Sequence, residues 1–404
     1  MRLGSKRTTS CFARFASYWL TGAMIACLLG ITPARGQTPP AGTDQKQPMS
    51  QDVFKNIQVL RGIPLDQFME TMGFFAASLS LNCTDCHTKE SGGNWALYAD
   101  DTPLKQTARR MVVMMNAINK ADFGGQRMVT CYTCHRGSER PEVTPSLSEQ
   151  YGEPPVVDPD KIEVISGTAP PKGGVTAEQI LDKYIQALGG AAQLAKITSI
   201  VGKGTYSGFD TDFSKVPIDL YAKAPNLRAT VVHTPAGDNT TIFDGHDAWV
   251  AAVDKPVPLY SLTGEDVDGA EIDAALLFPA QIKQKLSNWH AGFPEVTIGD
   301  KPAVVIEGTT SGGTHVKLYF DKVTGLLVRQ SHYTNTMIGL VPSHVEYSDY
   351  RLVSGVKFPY HWTSTWVDGQ STTELTQVQA NVAIDAARFT KPNPAVQRAA
   401  AAAR

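Results

Sequence analysis

Two five-residue runs, CTDCH at Cys83 to His87 and CYTCH at Cys131 to His135, constrain this chain more than anything else in it. In a C-x-x-C-H run the two thiols share one turn and meet the two vinyl groups of a porphyrin, while the adjacent imidazole reaches its iron. The spacing predicts two covalently attached haem c groups, held through Cys83, Cys86, Cys131 and Cys134, with His87 and His135 as proximal iron ligands. A structural zinc site made of the two Cys pairs is the rival reading. It has no use for a histidine placed directly after each pair.

The other cysteines agree with this. The chain has six, and the two outside the motifs, Cys11 and Cys27, fall in an N-terminal leader. That leader has a basic start (Arg2, Lys6, Arg7, Arg14), an apolar stretch from Trp19 to Ile31 and a small-x-small ending at Ala34 and Gly36, which predicts a signal peptide over 1–36 and export to the periplasm. Membrane association has two possible routes, a lipid anchor at Cys27 or an uncleaved leader. The apolar residues that continue past Cys27 count against the anchor. A net charge of −2 argues against a nucleic-acid partner.

Periodicity divides the remainder. Leu65, Phe68, Met69, Met72, Ala76 and Leu79 form an apolar helical stripe over Pro64 to Leu81, leading into the first motif. Thr102 and Pro103 read as an N-cap and first helical position, and Leu104, Ala108, Met111, Met115 and Ile118 carry a second helix to about Lys120. Gly124 and Gly125 then open a turn before the second motif. A proline-rich stretch with no sustained period follows. Thr176 and Gln179 make a capping-box pair for a helix that stops at Gly189-Gly190. Runs such as Ile200 to Tyr206, Ile218 to Ala222, Ala229 to His233, Ala303 to Glu307 and Val316 to Phe320 read as strands, punctuated by Asp244-Gly245, Thr324-Gly325, Ser354-Gly355 and Asp368-Gly369. The expected fold is multidomain: a small α-helical two-haem c-type cytochrome domain (53–143) after a flexible N-terminus (37–52), a proline-rich linker (144–174), a mainly antiparallel β domain forming an incomplete barrel with one covering helix (175–392), and an Ala-rich tail (393–404).

The far side of each iron separates carriers from enzymes, because a thioether closes the coordination sphere and an open position admits small molecules. Between Val53 and Arg140 the only histidines are His87 and His135, so distal ligands within this region come mainly from Met69, Met72, Met111, Met114, Met115 and Met128. Each is also an ordinary core residue for a helix. Of the arginines near the motifs (Arg109, Arg110, Arg127, Arg136, Arg140), one or two are expected to pair with haem propionates. Seven histidines beyond Gly174 lie on separate strand runs, the arrangement of surface or pocket residues rather than of a metal site.

The run from Phe68 to Arg140, with LSLNCTDCHTKE, TPLKQTARRMVVMMNAIN and CYTCHRGSERP, resembles the second haem pair of the cytochrome c subunit of photosynthetic reaction centres. The resemblance implies a helix that supplies a distal Met to the first haem. By position this is Met72, with Met69 one turn earlier as the fallback. The family's other haem of the pair takes a histidine from the other half of the subunit. That half has no counterpart here, and Met111 or Met114 is the expected substitute. From Gly174 onward, the opening helix ILDKYIQALGG and the strands that follow look like the incomplete β-barrel of periplasmic lipoprotein carriers. The combined expectation is an exported electron carrier whose partner is a redox protein or membrane electron-transfer complex, with a β domain that docks a partner or holds a lipid or lipoprotein. Its rivals are a peroxidase-like two-haem enzyme and a lipid-binding envelope protein with a haem redox sensor.

Overall fold

The computed structural model describes residues 47–92, 94–152, 158–161, 175–291 and 296–398. The expected leader with Cys27, most of the proline-rich stretch and the end of the Ala-rich tail lie outside the described residues. No helix among the described residues is long and apolar enough to cross a membrane.

The helical region contains α1 (Leu65–Leu79), α2 (Cys83–Cys86), α3 (Pro103–Asp122) and α4 (Cys131–His135). Helix α1 starts after Pro64 and ends at Ser80, whose φ of 55° turns the chain toward the first motif. Helix α3 begins as its sequence dictates: the Thr102 hydroxyl accepts from the Lys105 N–H at 3.2 Å, and Pro103 fills the first turn, where a missing N–H costs nothing.

The rest is one antiparallel sheet. Its strands are β1 (Ser199–Gly208), β2 (Val216–Lys223), β3 (Leu227–Thr234), β4 (Gly237–Phe243), β5 (Ala248–Ala251), β6 (Tyr260–Ser261), β7 (Ser287–Ala291), β8 (Val296–Ile298), β9 (Lys301–Thr309), β10 (His315–Asp321), β11 (Leu327–Asn335), β12 (Leu340–Val353), β13 (Val356–Trp366) and β14 (Gly369–Ala380). They run in the order β6-β5-β4-β3-β2-β1-β14-β13-β12-β11-β10-β9-β7, with β8 also on β9, so the sheet curves without closing. Helix α5 (Ala177–Leu188) covers one face with Ile180, Leu181, Tyr184, Ile185 and Leu188 buried, and its Thr176–Gln179 capping box is in place. A second covering helix, α6 (Glu265–Ala275), adds Ile272 and Ala275 to the same core. The sequence reading expected one helix there. The acidic first turn of α6 (Glu265, Asp266, Asp268) and its lack of an apolar stripe hid it.

On the opposite face, Asp160 from the proline-rich stretch is 5% exposed. It accepts from Tyr319 at 2.8 Å and from Ser331, and pairs with Arg329 and His344 at 2.9 Å. Burial alone would raise its pKa, but the His344 and Ser331 hydrogen bonds, the Arg329 charge and the Tyr319 hydroxyl bring it down to about 2.

The helical region packs directly on the sheet. The tip between β11 and β12 enters its core, where Ile338 (0% exposed) and Val341 join Leu60, Ile63, Phe68, Phe74, Val112 and Met115. Gly339 is required there, because a Cβ would lie 2.1 Å from Phe74 Cζ. Asp66 on α1 accepts from the backbone N–H and the hydroxyl of Thr263.

Two outcomes are expected. Ile338→Ala removes a buried side chain from this junction and lowers unfolding free energy by about 2–5 kcal/mol, measured by urea denaturation. Because the folded pKa of Asp160 lies below its unfolded value, its contribution is present above about pH 4 and fades as pH falls toward 2. Asp160→Asn should cost about 2 kcal/mol at pH 7 and flatten the acid limb of stability against pH.

Candidate haem-attachment sites

The first motif is set by its own capping. The Asn82 side chain accepts from the Thr84 and Asp85 N–H groups at 2.9 and 3.2 Å, and Asp85 accepts in return from the Asn82 N–H at 2.8 Å. This turn fixes Cys83 and Cys86 on α2 and releases His87 in an extended conformation. His87 Nδ1 lies 3.1 Å from the Tyr98 carbonyl, and its ring sits 4.7 Å from the Tyr98 ring. A carbonyl only accepts, so Nδ1 carries the proton and Nε2 presents a bare lone pair. Burial and the nearby Lys105 and Arg109 charges push the His87 pKa down, against the Tyr98 hydrogen bond, which keeps the ring neutral.

The second motif repeats the arrangement with different residues. Thr130 accepts from the Thr133 N–H at 3.3 Å, and the Thr133 hydroxyl accepts from the Thr130 N–H at 2.9 Å. His135 Nδ1 lies 3.0 Å from the Ser138 carbonyl, again leaving Nε2 bare. The approach to α4 is held by Asn119, which donates to the Val129 carbonyl at 2.7 Å and accepts from the Met128 and Val129 N–H groups at 3.1 and 2.9 Å. Sequence reasoning missed Asn119; its only signal is an amide on the buried face of an otherwise amphipathic helix. The Gly137 N–H donates to the Ser78 carbonyl at 3.0 Å, fastening the end of this motif to the end of α1. Burial pushes the Cys131 thiol up to about 11.

Met69, Met72, Cys83, Cys86 and His87 line one cavity of about 430 Å³, within the roughly 300–1,000 Å³ typical of cofactor pockets. Lys55, Lys105 and Arg109 also reach it. Of the five arginines considered for propionate pairing, Arg109 is the one on this cavity. It is oriented by Asp101 at 2.7 Å and the Asn56 carbonyl at 3.3 Å. Paired thiols, a bare imidazole nitrogen, thioethers and cations around an apolar cavity fit a covalently bound haem.

Helix α3 separates the methionines. Lys105, Ala108, Arg109 and Val112 line the cavity. At about 100° per residue, Met111 lies about 200° around the helix from Arg109, and Met114 about 200° from Val112. Met114 is thus turned from the first cavity, while Met111, about 60° from Ala108, lies at the side of the helix; they are 48% and 37% exposed, whereas Met115 is buried in the core. Met128 is half-buried on the approach to α4.

No disulfide joins the four motif cysteines. Among the described residues no three His, Cys, Asp or Glu side chains converge on one point. The histidines of the sheet are dispersed: His344 binds Asp160, His315 lies beside Glu307, and His361 bonds Ser348.

A family model described as photosynthetic reaction centre cytochrome C subunit matches residues 32–156. This segment is similar to the reaction-centre cytochromes c. The photosynthetic reaction center cytochrome c subunit of Thermochromatium tepidum is 36% identical over 104 residues, which is 24% of this chain and 24% of that protein. The subunit of Rubrivivax gelatinosus is 32% identical over 110 residues, covering 26% of this chain and 28% of that protein. The chain thus spans about a quarter of the length of these curated relatives. Among solved structures, a LolA superfamily protein from Nitrosomonas europaea aligns with 54% of this chain and 99% of its own at 16% identity and a TM-score of 0.37. An outer membrane lipoprotein-sorting protein domain from Vibrio parahaemolyticus, described as putative, aligns with 53% and 95% at 10% identity and the same TM-score. Similarity this low transfers no function.

Asn119→Ala leaves three backbone groups of the second motif's approach without their side-chain partner. It should cost about 1–3 kcal/mol and reduce haem attachment at Cys131 and Cys134 more than at Cys83 and Cys86, which peptide mass mapping of the exported protein would read.

Proposed function

We propose that this protein is an exported two-haem c-type cytochrome that carries electrons between redox partners. The reading rests above all on one cavity, which brings Cys83, Cys86, the bare Nε2 of His87 and the thioether of Met72 together at its wall. A haem bonded at each motif supplies one-electron chemistry. The side chains set its terms. Cys83 and Cys86 would hold the porphyrin covalently, and His87 and Met72 would ligate its iron, with Met69 one turn away on the same helix. A thioether ligand favours the reduced iron and raises the potential. Lys105 and Arg109 would supply cations for the propionates, and each is itself held, Lys105 by the Tyr98 and Asp100 carbonyls at 2.8 and 2.6 Å.

At the second motif, Cys131, Cys134 and His135 take the same parts, and Met111 or Met114 supplies the distal thioether from the free flank of α3. Tyr132 within this motif is 53% exposed, which favours it as the surface at which a partner exchanges electrons. By the resemblance of residues 32–156, that partner is a membrane electron-transfer complex or a redox protein on the periplasmic side.

The β domain takes the docking part. The cavity between its sheet and α5 and α6 is only about 60 Å³, lined by residues such as Tyr184, Leu220, Tyr350 and Phe358. An acyl chain enters it only if a covering helix moves, so partner docking is favoured over resident lipid.

The test is an optical spectrum of the mature protein made in a haem-maturing periplasm, in both redox states, with and without carbon monoxide. Two low-spin haems per chain that ignore carbon monoxide are expected. A haem that binds it readily would replace the carrier by an enzyme or sensor. In Met72→Ala one of the two irons should gain carbon monoxide binding, and an unchanged spectrum would remove Met72 as a ligand.

A further inference from the structure

The sheet reaches α1 next to residues that line the first cavity. The Val367-Asp368 turn between β13 and β14 presses on α1 at Gly73, beside Met72. A Cβ there would lie 3.0 Å from Val367 Cγ2 and from Asp368 Cγ, and 3.1 Å from Asp368 Oδ2. Val367 packs against the same apolar cluster as Met69 and Met72. The Asp368 carboxyl is thus brought, by a turn almost 300 residues away in sequence, against the helix that leads to Cys83.

We infer that Asp368 tunes the first haem, its carboxylate stabilising the ferric over the ferrous state and lowering that site's reduction potential relative to the second. The inference rests on the two-haem reading above. Ferric iron carries one more positive charge than ferrous, so a nearby anion favours it, and the more strongly where water is excluded. Asp368 meets α1 one residue from Met72, which lines that cavity. Burial pushes the Asp368 pKa up, and its own backbone N–H, the Lys255 ammonium and the Trp366 side chain pull it back. Glycine at position 73 is what permits the approach.

The test is a spectroelectrochemical titration of the full-length holoprotein with Asp368→Asn, Asp368→Glu and Asp368→Ser, after each has been assayed for haem content. In Asp368→Asn the midpoint of one haem should rise, by about tenfold in the ferrous-to-ferric ratio at fixed potential, or about 59 mV for a one-electron couple. The other midpoint should stay, and Asp368→Glu should stay near the parent. The haem that moves should be the one whose spectrum Met72→Ala alters. Should Asp368→Asn yield no holoprotein, Asp368→Ser decides, because it also removes the carboxylate and should raise the same midpoint. Two attached haems whose midpoints stay put or move together in the deciding variant would overturn the tuning role alone. A parent protein without two haems would overturn the two-haem reading, and that shows before any potential is measured.

Discussion

Helix α1 owes its position to a buried carboxylate: Asp66 accepts two hydrogen bonds from Thr263, nearly two hundred residues later in the chain, and this contact locates the cavity-lining stripe of the helix relative to the sheet. Three neighbouring contacts depend on it, namely Phe74 against Gly339, Gly73 against Asp368, and the Gln67 side chain against the Thr263 hydroxyl at 3.3 Å. The site is costly. Burial raises the pKa of Asp66, and burial together with mutual repulsion raises those of Glu70 and Asp266 beside it. Asp66 Oδ1 and Glu70 Oε2 have no protein partner among the described residues. A displacement of α1 would strand the Asp66 carboxylate that Thr263 satisfies, which holds the junction to its arrangement.

The local half of the fold is legible in the sequence. Thr102-Pro103, the Thr176–Gln179 box and the Gly189-Gly190 stop announce their helices, since a cap is read within four residues of itself. The strand runs and their glycine turns behave likewise; Ser354 and Gly355 both take positive φ between β12 and β13. The C-x-x-C-H runs place their own thiols and imidazoles. What stayed hidden is long-range. Ile338 reads as one more apolar residue in a β-rich stretch, Asp368 as half of a turn signal, Asp160 as part of a proline-rich linker, and Pro256, on the cavity that holds His87, as a loop residue. None has a neighbour in sequence that reports its partner. Helix α6 lacks the apolar stripe because its acidic start faces Thr334, Asn335 and the α1 junction instead of the core.

The open sheet is protected at both ends. At one, β6 is only two residues long; at the other, β7 and β8 share the flank of β9, so no long, unpaired edge is presented for another chain to extend. Strand β10 buries both faces. Leu318 and Phe320 pack against α5, while Lys317 and Tyr319, alternating with them, meet the backbone of Pro159. The proline-rich stretch therefore acts as a strap at the point where it is described, through Asp160.

The hydrogen bond from Gly137 to the Ser78 carbonyl carries a geometric consequence. The chain between the two motifs runs through a loop and the whole of α3, yet their separation is not set by that path. Both motifs are referred to one rod: the first continues from the end of α1 through Ser80, and the second is fastened to the same last turn at Ser78. Extra residues inserted at the exposed Lys89–Glu90 turn would lengthen the route along the chain and leave the gap through space as it is. With a haem at each motif, electron tunnelling would read only the second of these distances, so the length of that turn would not set the rate between the two sites.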